Sequence, residues 1–442
     1  MLHEHLLADA RTIAGDIVAL RRAIHAEPEL GLHTPKTRDK VRAALAGLPL
    51  DWREGPSTTG LVATLKGGAA TTDGSQPRRV LLRGDMDALP MPEETGLPYA
   101  STVPGTMHAC GHDAHTAMLV GAARLLCARA AGIAGEVQFM FQPGEEGYHG
   151  ARFMLEDGLI DPLPDAAFAL HVMPNAPHGV VAGRAGPLLA AADQLEIVVE
   201  GRGGHASMPH QTLDPVPVAC EIVTALQTLV TRRFNAHDPV VVTIARIEAG
   251  SAHNVIADRA VLKGTMRTLS REHRAQLQAA IHQLATGIAG AHGLSAEVTV
   301  MDGFPVTVCD PRAVDFGEMI TAELWSPAAF LRLPDPIMGA EDFSYVLELV
   351  PGAMFFLGVS HAGDDWAQCC GIHSTRMMVD ETVMPQGAAL LAALATRFLE
   401  RGFGRAALSP ADNLSHAAAG ALKRGNPPLE VIAPARQRSS RP

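Results

Sequence analysis

The sequence predicts an α/β fold, an open sheet of strands alternating with helices, interrupted by a second domain of α+β type. Three observations carry this expectation. Short apolar runs bounded by Gly and Pro alternate with helical patterns in the first 175 residues. Acids and a histidine gather at the ends of those runs (Asp85, Asp87, Glu145, Glu146, His171), and the carboxyl ends of strands are where open α/β sheets bind and react. Later the order becomes strand, helix, strand, strand, helix, strand, the split βαβ or ferredoxin-like pattern.

Taken in order, the first forty-odd residues read as helix, with Ile13, Ile17, Leu20 and Ile24 at three- and four-residue intervals. The runs 60–67, 78–87, 135–146 and 165–174 read as strands, and the Ala- and Leu-rich stretch 112–131 as helix. Residues 193–201 alternate like a half-exposed strand. A helix is expected over 214–233, strands over 239–250 and 258–270, a helix over 271–291 and a strand over 295–303. The α/β pattern resumes with a strand at 353–359 and a helix at 385–400. The expected organisation is a large domain built from two segments, residues 1–188 and 305–406, with an inserted domain at 189–304 between them. A disordered tail, rich in Pro, Ala and Arg, is expected at 407–442.

Composition narrows the class. A chain of 442 residues with 47% hydrophobic content can build more than one core. The formal net charge of −11 argues against a nucleic-acid partner. No run of eighteen apolar residues is evident, and "MLHEHLLADA" lacks the basic and apolar segments of a signal peptide. The six cysteines show no disulfide-framework spacing, which suits a reducing cytoplasm. A soluble, cytoplasmic protein without membrane or nucleic-acid partners is expected.

The chemistry concentrates in "HACGHDAHTAM", residues 108–118. Cys110 and His112 flank one glycine, so both side chains can face one side of a tight loop, and a helix beginning just after would favour a thiolate. Alone, Cys110 could equally be a core thiol, a nucleophile or a metal ligand. The company narrows this. Glu145 and Glu146 follow the very apolar "VQFMFQPG", whose Gln-Pro-Gly turn lets two carboxylates diverge. One can bind a metal while the other stays free as a base. His171 ends the next strand and His373 stands in "CGIHS". Such mixed donors suit a divalent transition metal, and five of them exceed one tetrahedral ion. Asp85 and Asp87 in "RGDMDALP" lie at the neighbouring strand end, with Asp87 best placed to accept the second ring proton of a ligand histidine.

"GDMDALP", "MHACGHDAH", "FQPGEEG", "ALHVMP", "GRGGHAS", "HNVIAD" and "GAEDFSY" follow one another between residues 84 and 345, and the likeness they carry covers residues 10–403. In this the chain resembles the metal-dependent amidohydrolases of the aminoacylase-carboxypeptidase superfamily, in the branch of hippurate hydrolases, N-acyl-amino-acid amidohydrolases and auxin-conjugate hydrolases. The resemblance implies a zinc-peptidase-like mixed sheet with helices on both faces and an inserted ferredoxin-like lid that dimerises or tetramerises. It implies two divalent ions, Mn²⁺ or Zn²⁺ with Co²⁺ or Ni²⁺ as alternatives, on Cys110, His112, Glu146, His171 and His373, the cysteine bridging or nearly so. Glu145 is implied as general base, His205 as a lid histidine that binds substrate and steadies the transition state, and Asn254 as a substrate contact. The family motif commonly reads Asn-Val-Ile-Pro, where this chain has Ala257 in place of the proline.

The expected reaction is hydrolysis of an N-acyl amino acid, a small molecule, to a carboxylic acid and an amino acid. Three rivals stand beside it: a metallo-exopeptidase or dipeptidase on the same scaffold, a thiol hydrolase using Cys110, and a non-catalytic metal-binding protein.

Overall fold

Parallel strands buried on both faces read as continuous apolar runs, and four such runs form the centre of the larger sheet. The computed structural model describes residues 5–71, 76–368 and 370–404. Strands Gly135–Gln142, Arg78–Asp85, Ala166–Met173 and Gly352–Gly358 lie side by side in that order, all parallel. Leu61–Lys66 and Leu50–Glu54 extend one edge antiparallel, while Val181–Gly183 and Phe330–Arg332 extend the other. The expected mixed α/β sheet is therefore present, wider than the sequence suggests by the short edge strands. Register fixes what meets at its carboxyl end: Asp85 pairs with Gln142, and His171 with Phe356.

Helix His112–Cys127 is buried along almost its whole length and packs on strand Arg78–Asp85 and helix Met384–Arg401. Gly111 precedes it at φ 83°, and a Cβ there would collide with Val172. The glycine between Cys110 and His112 is thus a steric requirement of the turn. Among the described residues one stretch, Glu381–Arg401, has the length and hydropathy of a membrane span, but its most apolar window is 89% buried inside the protein. It packs as a core helix.

The segment between the two halves forms a separate four-stranded antiparallel sheet in the order Val240–Ala249, Arg259–Thr268, Ala191–Glu200, Ser295–Phe304. That is the order the split βαβ pattern requires. Helices Pro215–Arg233 and Arg271–Ala291 cover it, capped by the side chains of Asp214 and Ser270. It has its own apolar cluster, including Leu195, Ile222, Leu262 and Ile281, distinct from the cluster around the large sheet. The described residues up to Gly404 nonetheless form one compact unit. The tail expected at 407–442 lies outside the described residues.

The expected N-terminal helix is three helices, Leu6–Thr12, Ala14–His25 and Pro35–Ala44. The second delivers buried Arg21 and His25 to Asp113, with Arg21 Nε 2.7 Å and His25 Nδ1 2.8 Å from Asp113 Oδ2. His25 Nε2 faces Glu93 at 3.1 Å. Burial disfavours charge on this ring, but Asp113 and then Glu93 outweigh it and raise His25 to about 9. Because the folded value exceeds the unfolded one, this stabilisation is full below about pH 6.5 and fades as pH rises through about 9. It amounts to roughly 3 kcal/mol in all. Urea denaturation from pH 6 to 10 should show that alkaline loss, and His25→Gln should flatten it.

Candidate metal centre and hydrolytic site

Three loops and one strand end at the carboxyl edge of the large sheet supply the site. The loop before helix His112–Cys127 brings Cys110 and His112, and strand Ala166–Met173 brings His171. The turn after Gln142 brings Glu145 and Glu146. His373 arrives last, its backbone N–H donating to Ala109 O at 2.7 Å, so its loop docks on the one carrying Cys110. It holds a left-handed backbone, φ 63°, unusual for a residue other than glycine.

Donor atoms of five sets lie within 4.8 Å of one another among the described residues, and three of them unite the expected ligands and Glu145: Cys110, His112, His171; Cys110, Glu146, His373; and His112, Glu145, Glu146. Cys110, His112 and Glu146 each belong to two of these three sets, so the sets adjoin one another. Cys110 Sγ stands 3.4 Å from His171 Nε2. His373 Nε2 is 3.2 Å from Glu146 Oε1. The structure thus brings together all five residues expected as ligands, with Glu145 beside them.

Ring orientation tells which nitrogens are free. His171 Nδ1 lies 2.7 Å from Val172 O, which fixes its proton there and leaves Nε2 as a lone pair facing Cys110. Both ring nitrogens of His112 are buried and lack a hydrogen bond. Their nearest carboxylates, Asp87 Oδ1 and Asp85 Oδ2, are 3.5 Å away. A buried imidazole without a short hydrogen bond, facing a thiol and two carboxylates at ion-pair distance, is a place where a cation can complete the set. The donor set therefore fits one or more divalent metal ions. His115, in contrast, is spent: Nδ1 binds Asp85 Oδ1 at 2.6 Å and Nε2 accepts from Val172 N–H at 2.8 Å. It supports His171 and offers no free donor. His108 is buried and has no polar partner for either nitrogen; burial lowers it to about 3, so it is neutral.

Asp87 does more than the sequence suggested. Its two oxygens accept the backbone N–H groups of Glu145 and Glu146 at 2.9 and 3.0 Å. It therefore clamps the turn that carries both glutamates while standing near His112. Behind Glu145 lies a buried network that sequence reasoning missed. Arg83 donates to Asp85 Oδ2 at 2.6 Å, Glu341 Oε1 at 2.8 Å and Asp342 Oδ1 at 3.1 Å, and Gln142 and Ala151 also donate to Asp342. The signal that could have found it was Arg83 itself, a charge inside the apolar run "VLLRG".

Electrostatics separate the roles. Burial first, then the charges of Glu341, Glu146 and Asp342, hold the Glu145 carboxyl well above its usual range. A divalent cation beside it opposes that shift. Burial disfavours ionisation of Glu146 too, but His373 and His112 outweigh it and the carboxyl is lowered. Adjacent carboxylates thus differ in proton affinity, the usual mark of an acid/base beside a fixed ligand. Burial raises the Cys110 thiol, so the helix N-terminus alone does not make the expected thiolate. A raised, buried thiol is a poor nucleophile, which weighs against a thiol hydrolase.

His205 and Asn254 stand elsewhere. Both belong to an exposed two-stranded ribbon, with His205 opposite Val255 and Asn254 O accepting from Ala206 N–H at 3.1 Å. His205 Nδ1 is engaged by Ser207 at 2.8 Å. Neither lines the pocket that contains Cys110, Glu145, Glu146, His171 and His373.

Residues 81–397 match peptidase family M20/M25/M40. The chain is 37% identical to thermostable carboxypeptidase 1 of Saccharolobus solfataricus, covering 90% of this chain and 99% of the relative. It is 35% identical to an N-acetylcysteine deacetylase of Bacillus subtilis, covering 87% and 97%. Among solved structures, a dinuclear metal-binding M20 peptidase of Bacillus subtilis superposes with TM-score 0.76 at 32% identity, covering 88% of this chain and 99% of that one.

Proposed function

We propose, for a chain that belongs to peptidase family M20/M25/M40, that it is a metal-dependent amidohydrolase cleaving N-acyl amino acids to a carboxylic acid and an amino acid. One observation carries this: Glu145, a buried carboxyl of raised proton affinity, stands within 4.8 Å of His112 and Glu146 in a set of metal-type donors. Similarity to an N-acetylcysteine deacetylase supports the substrate class. In this reading Cys110, His112, Glu146, His171 and His373 hold two divalent ions, Mn²⁺ or Zn²⁺. Ions bound there supply a Lewis acid that acidifies water and polarises a carbonyl. Glu145 takes the proton of the attacking water and returns it to the departing amine nitrogen. Asp87 holds the Glu145–Glu146 turn in place, and Asp85 with His115 holds the Val172 amide that follows His171. His205 and Asn254, on their exposed ribbon, contact substrate when the 189–304 segment closes as a lid or when the ribbon reaches a second copy in a homodimer. The free state of the described cysteines supports a reducing compartment such as the cytoplasm.

A metallo-exopeptidase reading is favoured by the 37% identity to a carboxypeptidase. Steady-state rates on N-acyl amino acids and on free dipeptides, with Mn²⁺ or Zn²⁺ supplied, separate the two; faster dipeptide cleavage would replace the first reading with the second. Asp87→Ala should weaken metal binding by about 10–100-fold and lower kcat as well, because the Glu145 and Glu146 amides lose their acceptor. Metal titration with an indicator dye checks the first effect.

A further inference from the structure

The inserted four-stranded sheet joins the large domain through two segments, residues 189–193 and 302–307, which pair with each other. Met301 faces Gln194 and Phe304 faces Ala192, so Asp302 and Gly303 together oppose Asp193 as a bulge. A bulge bends its strand and raises the local twist. Glycine is required there, because a Cβ on Gly303 would stand 1.6 Å from Ala192 O. Gly303 is gripped from both sides. Its N–H donates to Asp193 Oδ1 at 3.0 Å, and Arg274 Nε, from the inserted domain, holds the other oxygen of Asp193 at 2.9 Å. Its carbonyl accepts from the hydroxyl of Tyr345 at 3.3 Å, and Tyr345 stands on helix Ser344–Leu347 of the large domain.

One residue connects this grip to the turn that carries the glutamates. A tyrosine hydroxyl has a single proton; donated to Gly303 O, it leaves the oxygen to accept from His149 Nδ1–H at 2.9 Å. The His149 ring also stands edge-on to Phe304, with centroids 5.0 Å apart and planes at 85°. Phe304 follows the bulge and lines the same pocket as Glu145 and Glu146. His149 closes their turn, with Gly150 N–H donating back to Gly144 O at 3.0 Å. Its backbone is left-handed, φ 59°, a state that a residue with a Cβ keeps where its surroundings fix it. Resting on the amidohydrolase reading above, we infer that His149 is a positioning residue: it ties the Glu145–Glu146 turn to the Gly303 bulge, so that the tilt of the inserted segment and the placement of Glu145 are set together.

The test runs in both directions, because coupling between two places is reciprocal. Amide hydrogen exchange of the full chain, read by mass spectrometry, follows it without any assay of activity. His149→Gly keeps the left-handed backbone and removes the ring; exchange across residues 301–304 should quicken by ~2–30-fold. Asp193→Asn removes the charge that holds the bulge, and exchange across residues 143–150 should quicken in turn. In the metal-loaded enzyme, His149→Gly and Tyr345→Phe should each lower kcat on an N-acyl amino acid by ~2–30-fold, with bound metal unchanged and the double variant no slower. His149→Asn, which tolerates this backbone and keeps an N–H donor, should recover most of the loss. Faster exchange confined to the mutated segment, an unchanged kcat in the single variants, or losses that multiply in the double variant would each overturn the coupling while leaving amide hydrolysis standing. An unmodified enzyme that cleaves no N-acyl amino acid would overturn the amidohydrolase reading, and the exchange pattern would still decide whether His149 joins turn and bulge.

Discussion

Replacing Glu145 with glutamine should lower kcat by ~10²–10⁴-fold, the usual worth of a positioned general acid–base, with KM and bound metal little changed. The substitution is nearly isosteric. The backbone N–H groups of residues 145 and 146 still donate to Asp87, so the turn and the neighbouring Glu146 stay where they are. Only the capacity to take and return a proton is lost. Elemental analysis of the purified variant, alongside steady-state kinetics, checks both halves. A variant that lost its metal together with its activity would make Glu145 a ligand and leave the base unassigned.

Arg83→Met should destabilise the fold by about 3–5 kcal/mol. Arg83 is 2% exposed and meets Asp85, Glu341 and Asp342, which are 0%, 3% and 0% exposed. Methionine fills comparable space but leaves several carboxylates buried without their counter-charge, which is worse than having no ions there at all. Adding Glu341→Gln to Arg83→Met should recover part of the loss, since one of the stranded charges is then gone. Urea denaturation of the two variants checks the order. A double variant less stable than the single one would show that Glu341 does not depend on Arg83.

The residues of this site were legible to very different degrees. Glu145 with Glu146 announce themselves because they stand at the end of an apolar run, and Cys110 with His112 because two donors flank one glycine just before an apolar helix. The ligand role proposed for His171 gains a reason only in the structure, where Val172 O fixes its ring. His115 lies in the same short stretch as Cys110 and His112, yet Asp85 and the Val172 amide occupy both of its nitrogens. The Asp87 clamp runs to backbone amides 58 and 59 residues away, which no side-chain pattern encodes. Arg83 meets Glu341 across 258 residues, a pairing created by topology alone.

The fold divides similarly. Long buried strands and the helices of the split βαβ unit follow from periodicity. Val181–Gly183 and Phe330–Arg332 are three-residue edge strands, too short for any periodic signal. Leu50–Glu54 is a half-exposed edge strand, so "LDWRE" shows little of a strand's apolar face. Helix Pro311–Leu324 did carry a readable start, Asp310 capping Arg312 N–H with Pro311 in the first turn. His205 and Asn254 sit together on one ribbon because Gly204 and His205 pair with Ile256 and Val255. Motif order placed them in the inserted segment; only the pairing shows them exposed and outside the pocket.

The most direct measurement is metal removal and return. The protein is treated with a strong chelator, dialysed until elemental analysis finds no transition metal, and assayed on an N-acyl amino acid before and after Mn²⁺ or Zn²⁺ is added back. Activity should vanish with the metal and return as the ion is titrated in, while a parallel His112→Ala sample stays inactive. Hydrolysis that survives complete metal removal would contradict the account.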